Sequence, residues 1–280
     1  MGILESNRRE SFDLVNEQGL PVRGEMWHAE RSHGTVIVCH GFKGFVRWGF
    51  FPLLAETLSR GGVSAITFNF SGSGIGADGE SFTEESAFFS NSYSRELADL
   101  TLVEKEADRR EWLGKSYGLF GHSRGGGIAI LHAARQPRVR ALATWAAICT
   151  IDRWSGDEKK KWREAGHIGI INARTGQVLE LGTTTLDDIE QLAKTDLDIL
   201  TAASRIAVPW LIAHGTNDEA VPYAESERLE KAATSAAVEL LTIAGGNHTF
   251  GAQHPLLSPV PSRTQRAITR TLAFFRDHFD

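Results

Sequence analysis

The chain has 280 residues, of which 41% are hydrophobic and 23% charged, with a formal net charge of −5. That apolar content is enough for one large core, and the mild acidity gives no reason to expect nucleic acid or an anionic membrane as partner, both of which favour basic surfaces. Residues 1–10 lack the apolar stretch of a signal peptide, no run is long enough to span a bilayer, and two cysteines, Cys39 and Cys149, are too few for a disulfide framework, so a soluble, cytoplasmic protein with two buried, reduced thiols is expected.

In chain order, residues 11–16 and 21–29 read as two strands of a hairpin turning at 17–20. TVIVC at 35–39 is a continuous β-branched apolar run, as in a strand buried on both faces. Residues 50–60 have helical spacing closed by Gly61-Gly62. VSAITFNF at 63–70 is the next strand, and a glycine-rich loop follows at 71–80. A long amphipathic helix is predicted over 96–112, a short strand over 117–120 and a small-residue helix over 125–135. Further strands are predicted at 139–150, 208–213 and 238–243, with helices at 224–233 and 262–279. Strands alternating with helices imply βαβ crossovers and a mostly parallel sheet of about eight strands, covered by helices on both faces. The opening hairpin supplies an antiparallel strand at one edge.

Residues 151–204 interrupt this rhythm and are too many for a simple connection. They hold Trp154, Trp162, the charged run 157–161, a helical pattern near 186–194, and a hairpin pattern over 172–181 turning at Thr175-Gly176. The segment reads as a cap inserted after the sixth strand, dividing a core domain into 1–150 and 205–280. Trp154 and Trp162 are candidates both for lining the substrate pocket and for packing the cap onto the core.

The sharpest chemical signal is Gly121-His122-Ser123-Arg124-Gly125, a G-x-S-x-G pentapeptide between an apolar strand and a helix. A serine on such a strained turn is lifted above the sheet edge, and the flanking positions need glycine because side chains would collide across the turn. A serine nucleophile needs a base and an orienting acid, in the chain order Ser, Asp or Glu, His. His248 is the candidate base, in the loop Ala244-Gly245-Gly246-Asn247-His248 after the last core strand; His254 is next in line but precedes a proline. His122 adjoins the nucleophile and points elsewhere, and His40 is assigned a structural role. His28, His33, His132, His167 and His278 read as surface or packing residues, and no spacing of histidines with thiols or carboxylates marks a metal site. The candidate acid is Asp218, in the turn Gly215-Thr216-Asn217-Asp218 at a strand's carboxyl end, where doubly wound sheets carry their chemistry. Glu219 is one step off, and Asp152 after the sixth strand is the alternative. Donors for a tetrahedral oxyanion are expected from the backbone N–H of Arg124 and, in the loop His40-Gly41-Phe42-Lys43-Gly44, from that of Phe42, whose ring also walls the acyl pocket.

Together, 40–44, 121–125, 215–218 and 245–248 resemble the serine α/β-hydrolases over nearly the whole chain. Within that superfamily, 48–58 and the FNFSGSG loop at 68–74 are similar to compact bacterial carboxylesterases of the dienelactone-hydrolase-like and cinnamoyl (feruloyl) esterase groups. The resemblance implies an α/β-hydrolase fold, hydrolysis of a small carboxylic ester without cofactor or metal, and a typical cap between the sixth and seventh strands. Dienelactone hydrolases carry a cysteine nucleophile where this chain has Ser123, haloalkane dehalogenases an aspartate, and the H-G-G-G loop of the hormone-sensitive-lipase branch is absent; these departures favour a general carboxylesterase, acting on aromatic or short-to-medium acyl esters. A peptidase, amidase or thioesterase of the same fold, and a non-catalytic ligand-binding protein that kept it, are the competing readings.

Overall fold

The computed structural model describes residues 8–172, 175–233 and 237–279. Its frame is an eight-stranded sheet. The strands are β1 (Arg9–Val15), β2 (Pro21–Trp27), β3 (Gly34–Cys39), β4 (Val63–Phe68), β5 (Tyr117–His122), β6 (Val139–Trp145), β9 (Trp210–Gly215) and β10 (Val238–Ile243), in the order β1-β2-β4-β3-β5-β6-β9-β10. β2 runs antiparallel to both its neighbours, and every other pairing is parallel.

The continuous apolar strands are the central ones. β4, β5 and β9 are buried at every residue, because helices cover both faces. Alternation within them sorts side chains into two layers. Ile37, Leu119 and Ile212 face a core completed by α3 (Tyr93–Arg109), α4 (Arg124–Ala133) and α8 (Ala224–Ala232). Val36, Phe120 and Leu211 face the other, with α1 (Phe51–Arg60) and the terminal α9 (Ser262–Phe279). On the edge strand β1 only Phe12 is buried, and the exposed charges Arg9 and Asp13 discourage pairing with another chain. Cys39 and Cys149 are buried free thiols, as expected.

Between β6 and β9 lie α5 (Gly156–Ala165), the antiparallel pair β7 (His167–Ile171) and β8 (Val178–Gly182), α6 (Thr183–Leu192) and α7 (Ile199–Ala203). This segment is bonded to the end of the β4–α3 connection and to the first turn of α3. Thr184 and Thr185 hydroxyls donate to the Asn91 carbonyl at 2.8 and 2.7 Å, and Asp188 accepts from the Ser94 amide and hydroxyl. It also reaches the loop after β3, where Lys43 Nζ donates to the Ile171 carbonyl.

Expectations shift at the sixth strand and in the segment after it. The strand expected over 139–150 ends at Trp145, because Ala146 turns to a φ of 46° and starts a buried loop. The hairpin expected over 172–181 has its first strand earlier, at His167–Ile171; Gly176 carries the positive φ of its turn, and residues 173–174 lie outside the described residues. The charged run 157–161 belongs to α5, whose start is marked by a capping box between Ser155 and Glu158. The short helix α2 (Glu85–Phe89) was not expected at all.

Candidate active site

The chain leaves β3 for β4 on one side and returns with β5 on the other, so the strand order reverses between β3 and β5. A crevice opens at such a switch point, outside the carboxyl ends of the strands. The loop 40–44 and Ser123 stand on its two sides. Ser123 follows β5 with φ 56° and ψ −122°, a conformation non-glycine residues avoid, held at a cost of about 1–3 kcal/mol by its surroundings. Its amide donates to the Trp145 carbonyl, and its carbonyl accepts from the Gly126 and Gly127 amides as α4 begins. The tightness of the turn shows at Gly121 and Gly125. A Cβ on Gly121 would lie 2.4 Å from the Gly125 carbonyl oxygen, and one on Gly125 2.2 Å from the His40 oxygen.

Asp218 and His248, 30 residues apart in sequence, meet at the ends of β9 and β10. His248 Nδ1 lies 2.8 Å from Asp218 Oδ2. The other oxygen, Oδ1, accepts from the Ala220 and Val221 amides, both at 2.9 Å. Burial alone would raise the acid's pKa; the hydrogen bonds from His214 and His248 and the Val221 amide outweigh it and hold the carboxyl well below the usual range. An ionised Oδ2 fixes the proton of His248 on Nδ1 and leaves Nε2 with a lone pair. His248 is pinned beside Ser123 by His122, whose Nε2 donates to the His248 carbonyl at 3.0 Å, with the two rings 4.7 Å apart. Burial, followed by the neighbouring His248, lowers the His122 pKa to about 3, so its ring is a neutral structural donor. No hydrogen bond joins Ser123 Oγ to His248 among the described residues.

The loop after β3 is fixed by His40. Its Nδ1 donates to the Gly41 carbonyl at 2.8 Å and its Nε2 accepts from the Phe70 amide at 3.1 Å, and burial lowers its pKa to about 4. A turn from Gly41 to Gly44, with Lys43 at φ 57°, brings Gly41 so close that a Cβ on it would lie 2.9 Å from Ser123 Cβ. No acceptor of the described residues takes the amide N–H of Phe42 or of Arg124. The side chains of these two residues also touch. The Arg124 guanidinium lies 4.9 Å from the Phe42 ring centroid and 3.7 Å from that of Tyr93, while Phe42 stacks on Phe88. Arg124 Nε donates to Glu96 at 3.0 Å, both side chains being buried, and Asn91 donates to the other Glu96 oxygen. Sequence reasoning used only the Arg124 amide; its guanidinium is a brace beneath the loop.

The remaining candidates are engaged elsewhere. Asp152 is exposed and bonded through both oxygens to Lys159, while the adjacent Arg153 pairs with Glu225. His254 accepts from the Gly49 amide and packs on Phe45. Trp162 is buried and donates to the Leu181 carbonyl, with Trp154 against it at 5.3 Å, so the pair packs the inserted segment together. His214, given no role from sequence, is fully buried beside Asp218; its place four residues before the acid, on the strand that delivers it, was the available signal. No group of three or more metal-ligating side chains occurs among the described residues.

The model of the family described as serine aminopeptidase, S33, matches residues 30–167 and 172–251. An uncharacterized 31.7 kDa protein in the traX-finO intergenic region of Escherichia coli is 26% identical over 248 residues, covering 78% of this chain and 84% of that protein. Two solved structures share the fold across nearly the full length of both chains. Est1E from Butyrivibrio proteoclasticus has a TM-score of 0.70 at 18% identity, covering 98% of this chain and 99% of its own. The α/β-hydrolase GrgF from Penicillium sp. sh18 has a TM-score of 0.73 at 17% identity, covering 97% and 99%.

Proposed function

We propose that this chain, which belongs to the serine aminopeptidase (S33) family of α/β-hydrolases, cleaves carboxylic esters through an acyl-enzyme formed on Ser123. The observation that carries the reading is the 2.8 Å contact between His248 Nδ1 and Asp218, on loops that meet a strained Ser123 at the sheet's switch point. Asp218 holds the imidazole with Nε2 unprotonated. Nε2 takes the Ser123 proton as Oγ attacks the ester carbonyl carbon. The oxyanion receives the free N–H groups of Phe42 and Arg124, which need no reorganisation to meet it. On collapse the C–O bond of the ester breaks and His248 delivers the proton to the departing alcohol. Water, deprotonated by the same nitrogen, then attacks the acyl-enzyme and releases the acid and Ser123. No step calls for a cofactor or a metal.

The family's description favours a second reading, amide or peptide hydrolysis from an amino terminus. Such a substrate brings an ammonium group that a carboxylate must hold. The buried carboxylates near the crevice are engaged: Glu96 by Arg124 and Asn91, Asp188 by Ser94, Asp218 by His248. That supports esters. For the acyl group, Phe42 offers an aromatic wall, and Est1E is a neighbour seen with ferulic acid bound. A substrate of small size in the cytoplasm, gated by a cap over 151–204, completes the proposal. The test is a panel of p-nitrophenyl acyl esters, hydroxycinnamate esters, acyl thioesters and aminoacyl amides, with the acyl-enzyme trapped by acid quench and weighed intact. Turnover of esters with the acyl mass on Ser123 is expected; turnover of aminoacyl amides alone moves the assignment to a peptidase.

A further inference from the structure

His214 stands on the last turn of pleat before the strand β9 ends, and it is 0% exposed. Its Nε2 lies 2.8 Å from the Val221 carbonyl oxygen and 3.2 Å from Asp218 Oδ2. Both neighbours are acceptors, so Nε2 carries the proton and donates to the two together. Nδ1 is buried and has no hydrogen-bond partner among the described residues, so it carries none. The ring is therefore the neutral Nε2–H tautomer, assigned from its partners. It cannot touch a substrate. What it does touch is the same carboxylate oxygen that receives His248.

We propose that His214 is a positioning residue for the reaction, holding the Asp218 carboxylate in the plane and charge distribution that orient His248. This rests on the reading of Asp218 and His248 as acid and base. An aspartate carboxylate rotates in a broad well about its last torsion. The Ala220 and Val221 amides hold only Oδ1, and both come from the acid's own loop. His214 holds Oδ2 and comes from the sheet, so it references the acid to the rigid scaffold. Its second acceptor, Val221, is the residue whose amide binds Oδ1, so one imidazole closes the 218–221 turn from both sides. It also shares the negative charge of Oδ2 with His248. The titratable groups facing His214 and Asp218 are His248, His122, and Tyr223, whose ring meets His214 edge-on at 5.8 Å. Without the His214 donor, Oδ2 presents more charge to His248 and makes it a stronger base, at the loss of its alignment.

The experiment compares wild type, His214→Leu and His214→Gln on one ester, reading kcat, KM, the pH profile of kcat/KM, the melting temperature and the rate of Ser123 labelling by a fluorophosphonate. Loss of one donor to a charged group predicts a fall in kcat of about tenfold or more in His214→Leu, an unchanged KM, and an acidic limb displaced to higher pH. The glutamine amide can place a donor where the imidazole has one, so His214→Gln regains most of the kcat and the wild-type limb. Should His214→Leu fail to fold, His214→Phe keeps a ring against Tyr223 and gives the same comparison. A merely structural role lowers the melting temperature while leaving the limb and kcat of the folded enzyme in place, and that result, or a glutamine variant no better than leucine, overturns the inference. A wild type with neither an acidic limb nor a labelled Ser123 overturns the underlying acid–base reading instead.

Discussion

Replacing Asp218 by asparagine changes one atom, and the surrounding donors dictate how the new amide must sit. With its oxygen at the Oδ1 position it keeps the bonds from Ala220 and Val221, and its NH₂ then faces His248 Nδ1. The opposite orientation sets the NH₂ against two backbone N–H groups and is excluded by two donor–donor contacts. In the surviving orientation Nδ1 must become an acceptor, so the imidazole proton moves to Nε2 and the base is lost. The wrong tautomer costs about 10⁴-fold in kcat, or about 5 kcal/mol of transition-state stabilisation. Stability falls by only about 1–3 kcal/mol, the scale of one spoiled buried hydrogen bond, since the NH₂ also opposes the His214 N–H. The assay is kcat on a p-nitrophenyl ester at one pH, with thermal melts alongside. Asp152→Asn, which loses only an exposed contact to Lys159, is expected to stay within twofold of wild type. A folded Asp218→Asn enzyme within tenfold of wild type, or a dead Asp152→Asn beside it, refutes the reasoning.

Three further outcomes are expected. Arg124→Met leaves Glu96 buried without its ion-pair partner and lowers stability by about 3–5 kcal/mol in denaturant titration; an unchanged midpoint contradicts the brace. His40 is neutral in the fold, with a pKa lowered to about 4 from 6.5, so its contribution is present above pH 6.5 and is lost as pH falls toward 4. His40→Asn should therefore flatten the stability–pH slope between pH 6 and 4.5 by about 1.4 kcal/mol per unit, and an unaltered slope disproves the assignment. EDTA leaves ester turnover intact; inactivation that zinc restores counts against a metal-free mechanism.

The core and the Asp218–His248 contact were legible because they rest on local rules. β3, β4 and β9 are buried on both faces, and such strands are mainly apolar, which is visible in 35–39 and 208–213. The elbow needs glycine on both sides of Ser123 for steric reasons, and the loops ending in Asp218 and His248 follow strands that are visible themselves. What escaped reading depends on long-range packing. α5 buries only Trp162, so its apolar pattern is faint and its capping box is the better sign. The Arg124–Glu96 and His214–Asp218 contacts join residues whose types alone are unremarkable in a helix or at a strand end. Their meaning comes from burial, which makes an unpaired charge or donor costly and so enforces the pairing. Trp154 and Trp162 meet within the segment after β6, where the Trp162 indole N–H donates to the Leu181 carbonyl, a contact that residue type alone does not announce.

The central claim is that Ser123 is the activated nucleophile. An aryl or alkyl fluorophosphonate, titrated against the 280-residue chain and followed by intact mass and peptide mapping, measures it most directly. One phosphonyl group per chain on Ser123 is predicted, with ester turnover lost in step with labelling, and neither label nor turnover in Ser123→Ala. A protein that stays unlabelled, carries the adduct on another residue, or retains turnover within tenfold in Ser123→Ala contradicts the account.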